Sequence, residues 1–217
     1  MAQILVVGLG KFGFHVARML HENDHEVVAV DSDPSHVQAI RDFCSKAVHL
    51  DARDTARLEA VGLRHFDVAV VSLGEAVDVS ALVALHLREA GIPRIITKAG
   101  SADHARLLEK LEVDEIVFPE REAAERLVRR LTYRNVLDVI PLDGATSLEE
   151  IAPPPSWIGK TLAELDPSKK QGLAVIAVRS AETGKLLLNP PPSHMVLGSQ
   201  PLLVLGDNTD LRKLRSP

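Results

Sequence analysis

Along its first 118 positions the chain alternates between two rhythms. Short runs rich in Val, Ile, Leu and Ala give way to longer stretches in which apolar residues return every three or four positions. That alternation predicts consecutive βαβ units building a parallel sheet. The runs are residues 3–8 (QILVVG), 26–31 (EVVAVD), 47–50 (AVHL), 67–73 (DVAVVSL), 94–99 (RIITKA) and 114–119 (DEIVFP), and six such strands fit a doubly wound α/β fold. Between them, residues 11–22 set Phe12, Val16 and Leu20 on one helical stripe. Residues 78–90 do the same with Leu82 and Leu85, Ala90 lying nearby, and both stripes are expected to cover the sheet. Asp33-Pro34 reads as a cap followed by a first-turn proline, and Ser101 or Asp103 as the cap of a helix through Leu111.

After Pro119 the segment EREAAERLVRRLTYRNV predicts one long amphipathic helix, with Ala123, Ala124, Leu127, Val128 and Leu131 forming its apolar band. Beyond it the rhythm breaks. There follow NVLDVIPL, a turn at DGATS, the proline cluster APPPS, a short helix near TLAELD, and the strand-like LAVIAV, KLLLN and PLLVLG. Short strands punctuated by Pro and Gly read as a small separate α+β or β domain. The expected organisation is therefore residues 1–135 as a Rossmann domain with its long helix and residues 136–217 as a second domain.

A chain of 217 residues can bury two cores of this kind. Its net charge of -5, with Lys and Arg dispersed among acids, provides no basic stripe for phosphate backbones, which argues against nucleic-acid binding. Cys44 stands alone, so neither an internal disulfide nor a cysteine zinc site is available, as befits a core thiol in a reducing compartment. The N-terminus lacks the pattern of a signal peptide, and no apolar run reaches the roughly 18 residues of a membrane span. A cytosolic chain is expected.

The sequence's chemistry concentrates in VVGLGKFGFHVA, where Gly8, Gly10 and Gly13 have G-x-G-x-x-G spacing between an apolar strand and an amphipathic helix. Gly8 allows the tight turn, Gly10 lets backbone N–H groups approach a pyrophosphate, and Gly13 lets helix and strand pack closely. Asp31 ends the next strand, where a carboxylate accepts both ribose hydroxyls of an adenosine and repels a 2′-phosphate, favouring NAD, ATP or ADP over NADP. Lys11 either meets a terminal phosphate or is a solvated lysine on a first helical turn. Glu120 opens the long helix at the carboxyl edge of the last strand; it can bind a divalent cation together with phosphate, or simply favour a helix N-terminus. Lys98 ends the fifth strand on the same edge, within reach of a nucleotide or an acidic neighbour.

HENDH, residues 21–25, spells the H-E-x-x-H of zinc proteases. The helix must end before EVVAVD, however, so the segment straddles a helix end and a turn at Asn23-Asp24, and the two histidines do not share a helix face. The remaining histidines show no metal-ligand spacing, and no G-x-S-x-G elbow or Cys-His pair is present. The alternative of a small NAD-dependent oxidoreductase needs a substrate domain carrying an acid or base, and some 80 proline-punctuated residues with one histidine serve that role poorly. A redox-sensing repressor would need a helix-turn-helix, which neither precedes nor follows the fold.

GLGKFG, then VDSDP, VSLGEAVDVSAL and ITKAGSADHARLLEKLEVDEIVFPE, then a crossing helix and a small domain, occur in an order that over nearly the full chain resembles the RCK/KTN regulatory subunits of Trk and Ktr potassium-uptake systems, with their RCK C-terminal domain. The resemblance implies a non-enzymatic, cytoplasmic protein held at the inner face of the cell membrane by a membrane potassium-translocating subunit. It implies a Rossmann cleft for ATP/ADP or NAD(H), in some members with a divalent cation, and homodimers assembled into a ring, commonly an octamer. By position, Gly8, Gly10, Lys11 and Gly13 would contact phosphates and Asp31 the ribose. Asp51, Leu73 and Gly74 would line the adenosine pocket, Lys98 its edge, and Glu120 the phosphates of a neighbouring subunit; Phe12 and Ser32 complete the implied set. Lys11 replaces the arginine of Ktr-like relatives, keeping the charge without the planar fork. The apolar band of residues 123–131 is the candidate interlocking crossover helix, the alternative being that it only caps its own sheet.

Overall fold

Val, Ile and Ala fill both faces of the first sheet because helices cover both of its sides. In the computed structural model, which describes residues 1–215, six strands form this sheet: β1 (Gln3–Val7), β2 (Glu26–Asp31), β3 (Lys46–His49), β4 (Val68–Val71), β5 (Arg94–Lys98) and β6 (Glu115–Val117). They lie in the order β3-β2-β1-β4-β5-β6, with every pairing parallel. Strand order reverses between β1 and β4, which opens a crevice at their carboxyl ends. Along β1 the side chains alternate: Ile4 and Val6 join Val27, Ala29 and Val70 on one face, while Leu5 and Val7 join Val30, Ala69 and Val71 on the other.

The first face is covered by α1 (Lys11–Glu22) and α2 (Pro34–Ile40), the second by α3 (Thr55–Glu59) and α4 (Val77–Glu89), with α5 (Ala102–Lys110) packing beside α4 through Ala105 and Leu108. Caps fall where the sequence sets them. The Asp33 carboxylate accepts the Ser35 N–H with Pro34 at the first turn, and the Ser101 hydroxyl, not Asp103, accepts the His104 N–H. Cys44 is buried, and burial pushes its thiol pKa up.

Two helix faces differ from expectation. On α4 the buried residues are Ser80, Val83, Ala84 and Leu87, whereas Leu82 and Leu85 are 37% and 38% exposed. This helix carries apolar side chains around most of its circumference, so periodicity alone does not choose a face; Ser80 and Ala84 are small enough to bring its backbone close to the sheet. On α1 the buried positions are Gly13 and Ala17, and the stripe of Phe12, Val16 and Leu20 is only half-buried. With Ile4, Val68, Val70, Ile96 and others, that stripe lines an open apolar groove of about 310 Å³.

The chain divides into two compact units, Met1–Pro119 and Glu120–Pro217. The long helix α6 (Pro119–Thr132) leads into the second, and none of its residues is buried. A five-stranded antiparallel sheet follows: β7 (Val136–Pro141), β8 (Thr146–Ile151), β9 (Ala174–Arg179), β10 (Leu186–Leu188) and β11 (Leu202–Asp207), ordered β10-β9-β11-β8-β7. Short helices α7 (Leu162–Leu165), α8 (Pro167–Gln171) and α9 (Asn208–Leu214) complete the unit. Strand β8 begins inside the expected turn DGATS and was hidden by its polar sequence TSLEEI. Its Glu149 is fully buried, and a buried carboxylate is tolerable only when paired. Arg215 supplies the partner through two hydrogen bonds, and its guanidinium also lies 5.0 Å from the centre of the Tyr133 ring. Among the described residues no helix is long and apolar enough to cross a membrane.

Stability should fall with acid in two limbs. Burial holds the imidazole of His104 below its ordinary pKa, so the folded protein favours the neutral ring. That contribution is whole above about pH 6.5 and is lost progressively below it. Backbone N–H groups hold Asp114 (from Ile95, with Arg88 also contributing) and Asp143 (from Ala145 and Thr146) below the usual carboxylate range, and their contribution is lost as pH falls below about 4. Thermal melts between pH 7.5 and 3 should show both limbs, with His104→Gln flattening the upper and Asp114→Asn shrinking the lower.

Candidate functional site

The crevice at the switch point is built by a backbone approach that only glycine permits. A Cβ on Gly13 would stand 1.9 Å from the Gly8 carbonyl oxygen, so the first turn of α1 rests directly on the β1 turn. Gly8 itself has φ +91°, and a Cβ there would meet Leu73 and the Ser72 carbonyl at 2.8 Å. Gly10 differs from both: its φ is an ordinary -60°, and nothing lies within 4 Å of its missing Cβ. It is also the N-cap of α1 and brings no side chain to the first-turn N–H groups, which have no acceptor within a helix. The result is an open patch of backbone donors at the positive end of a 12-residue helix, the environment a phosphate requires. Lys11 and Phe12 begin that helix, Lys11 exposed and Phe12 turned into the apolar groove.

One strand over, Asp31 ends β2 with 11% of its side chain exposed. Its Oδ2 accepts the Leu9 N–H at 2.5 Å and faces His36 Nδ1 at 3.3 Å, while Oδ1 accepts the Asp33 N–H at 2.7 Å. The carboxylate is thereby tied to the glycine turn. Gly8, Asp31, Ser32, Asp51 and Leu73 then converge on one cavity of about 40 Å³, floored by Val7, Val30, Leu50 and Ala52 and closed by Val79 at the start of α4. Across the switch point, the stem of Lys98 lies over Gly74, and a Cβ on Gly100 would sit 2.2 Å from the Gly74 carbonyl oxygen. The turns after β4 and β5 thus pack as tightly as the first one. Of the expected residues Glu120 alone falls in the second unit, in the first turn of α6.

Sequence reasoning missed Arg53. Its Nε contacts both Asp51 oxygens at 3.0 Å and its Nη2 contacts Oδ2 at 2.6 Å. This guanidinium, through hydrogen bonds first, holds the Asp51 carboxyl below its usual pKa. The signal was the D-x-R spacing at the end of a strand already placed on the ligand edge. Gly100 was also missed as a packing residue, although KAG at the end of β5 repeats the strand-then-glycine pattern of β1.

Size alone would direct attention elsewhere. A cleft of about 350 Å³ lies among Thr55, Glu59, Gly62, Arg64, His65, His86 and Glu89. Those residues precede β4 or end α4 ahead of β5, so the cleft sits at the amino edge of the sheet, opposite the edge where such folds bind ligands. HENDH ends α1 as expected. Asn23 caps the helix, Asp24 turns with φ +62°, and His25 Nδ1 accepts the Ala2 N–H at 3.2 Å, well apart from His21's helix face. Among the described residues, no group of three or more His, Cys, Asp or Glu is arranged to hold a metal ion.

Comparison with known proteins agrees with this geometry. Residues 4–119 match the TrkA-N domain, a span that begins in β1 and ends at the last residue of the first unit. The chain belongs to the TrkA-N family. It is 34% identical over 211 residues to Ktr system potassium uptake protein C of Bacillus subtilis, covering 97% of this chain and 95% of that one. It is also 30% identical over 214 residues to Ktr system potassium uptake protein A of the same organism, covering 99% of this chain and 96% of that one. The fold of the GsuK RCK domain crystal structure superposes with a TM-score of 0.68 at 21% identity, over all of this chain and 48% of that one. A structure of the GsuK channel bound to NAD gives 0.67, also at 21% identity, over 98% of this chain and 38% of that one. The TrkA-N match places all three glycines, Asp31 and Asp51 inside the family domain, together with Lys98.

Two glycine variants separate packing from binding in this TrkA-N domain. Gly13→Ala forces a methyl group into the Gly8 carbonyl and should cost about 3 kcal/mol of stability or prevent folding. Gly10→Ala meets no neighbour and should leave urea unfolding within about 0.5 kcal/mol of wild type while weakening adenine-nucleotide binding. Chemical denaturation paired with calorimetric titration reads both.

Proposed function

We propose that the chain is a nucleotide-binding regulatory subunit of a Ktr-type potassium-uptake system, gating a membrane potassium-translocating partner through ligand-dependent changes in the shape of a ring. The observation that carries the reading is the convergence of a side-chain-free helix N-terminus and the Asp31 carboxylate on one crevice, in a chain similar along nearly its whole length to Ktr proteins. In this reading residues 1–135 are the nucleotide-binding domain with its crossover helix and residues 136–217 the RCK C-terminal domain.

The crevice chemistry fits adenine nucleotides. Phosphates take the N–H groups around Gly10, with Lys11 and Lys98 supplying positive charge, and the ribose hydroxyls take Asp31. The same carboxylate disfavours a 2′-phosphate. A divalent cation would draw most of its ligands from the phosphates and water, with Glu120 of a neighbouring subunit as the protein's contribution. The chain's residues bind and orient a nucleotide; none is assigned an acid, base or nucleophile, and the role is regulatory.

A nucleotide shifts a conformational equilibrium only by as much as it binds one state better than the other. Triphosphate and diphosphate differ in charge and in reach towards Lys11 and Glu120, so they favour different ring shapes. Assembly into homodimers and a ring, commonly an octamer, would cover the band of Leu127, Val128 and Leu131 on α6, which are 53%, 58% and 75% exposed. The protein would then sit at the cytoplasmic face of the membrane through its pore partner.

Titration with ATP, ADP, NAD, NADH and NADP tests the binding step directly. At least one of the first four should bind more tightly than NADP, and Asp31→Ala should weaken that binding by about tenfold or more; failure of all four to bind would overturn the reading. For assembly, Leu127→Glu combined with Leu131→Glu should shift the oligomer to smaller species in sedimentation velocity while the melting temperature stays near wild type.

A further inference from the structure

We propose that Arg53 is a specificity-determining residue of the nucleotide site: it fixes the carboxylate of Asp51 in the one orientation that selects adenine over guanine. This rests on the nucleotide-binding reading above and adds to it which base the site takes and how.

Strand order sets the argument. Along the edge β1, β2, β3, neighbouring strands stand about 4.8 Å apart, so successive strand ends meet successive parts of an extended ligand. The β1 turn carries the phosphate donors, and the end of β2 carries Asp31 for the ribose. The next group along the row is Asp51, just past β3, where it lines the same cavity as Asp31. A nucleotide lying along this edge therefore brings its base to Asp51.

A carboxylate free to rotate discriminates poorly between purines. It can accept from the exocyclic amine of adenine, or swing to the N1–H and N2 amine of guanine. Asp51 is not free. Arg53 forks onto both oxygens and donates its own backbone N–H to Oδ1 at 3.0 Å, so the carboxylate plane is set from one side. Two carboxylate oxygens offer about four acceptor positions; the three Arg53 hydrogens, with Nε–H shared between both oxygens, take about three of them, and the one left over points in a fixed direction. One fixed acceptor suits the amine of adenine and repels the carbonyl oxygen that guanine carries at the equivalent ring position. Arg53 is itself 65% exposed, and an exposed ion pair two residues apart contributes little to stability. Its geometry is therefore better explained by what it does to Asp51 than by what it does for the fold.

The test is calorimetric titration of the full-length protein with ATP and with GTP at fixed salt, alongside thermal melts. Wild type should bind ATP about tenfold or more tightly than GTP. Arg53→Ala should bring the two within about threefold, with ATP weakened and GTP strengthened, at an unchanged melting temperature. Arg53→Lys, a point charge without the fork, should fall between them. Asp51→Asn, whose amide can donate to the guanine carbonyl, should move the preference towards GTP. An unchanged ATP-to-GTP ratio in Arg53→Ala, equal weakening of both ligands, or a wild type that binds both alike would overturn the proposal and leave the nucleotide site standing. A wild type that binds neither nucleotide, nor NAD, would remove the site and this proposal together.

Discussion

The close approach of Gly13 to the Gly8 carbonyl governs the first unit. With a Cβ 1.9 Å from that oxygen, α1 could not start where it does, and the N–H groups of its first turn would not face the crevice. The same contact fixes the loop between the two glycines tightly enough for the Leu9 N–H to reach Asp31. Strand order then does the rest. Because β2 and β3 lie consecutively beside β1, the acids at their ends fall in a row with the glycine turn. In the reading proposed above, phosphate, ribose and base would thus meet the glycine turn, Asp31 and Asp51 in that order, placed by one packing contact and one topology.

What could be read from the sequence, and what could not, divides along the same line. The first sheet was legible because its central strands β1, β2 and β4 are largely buried on both faces, and such strands cannot avoid being apolar runs. The glycine turn was legible because its chemistry is local, contained in six residues. The face of α4 was not. Val77, Val79, Leu82, Val83, Leu85 and Leu87 surround the helix, and its orientation was decided by the smallness of Ser80 and Ala84, a property that periodicity does not weigh. Strand β8 was illegible for a longer-range reason. Glu149 occupies an inward position that reads as polar, and the residue that makes its burial tolerable is Arg215, 66 positions away. Arg53 lies between these cases, two residues from its partner yet recognisable only once Asp51 is known to line the cavity.

The cavity's size bears on regulation. At about 40 Å³ it holds little more than a water or two, far below the several hundred cubic ångströms of a typical cofactor pocket. In the proposed reading, an adenosine entering there would part walls formed by the Asp31 carboxylate, the Leu73 side chain after β4 and Val79 at the head of α4. Each belongs to a different element, so widening the cavity would couple the end of β2, the turn after β4 and the start of α4. The Leu9 N–H and a ribose hydroxyl would also compete for the same Asp31 oxygen. In the proposed reading, a ligand that spends binding energy on widening the crevice has different affinities for the narrow and the widened forms. That difference is the thermodynamic requirement for a nucleotide to act as a switch.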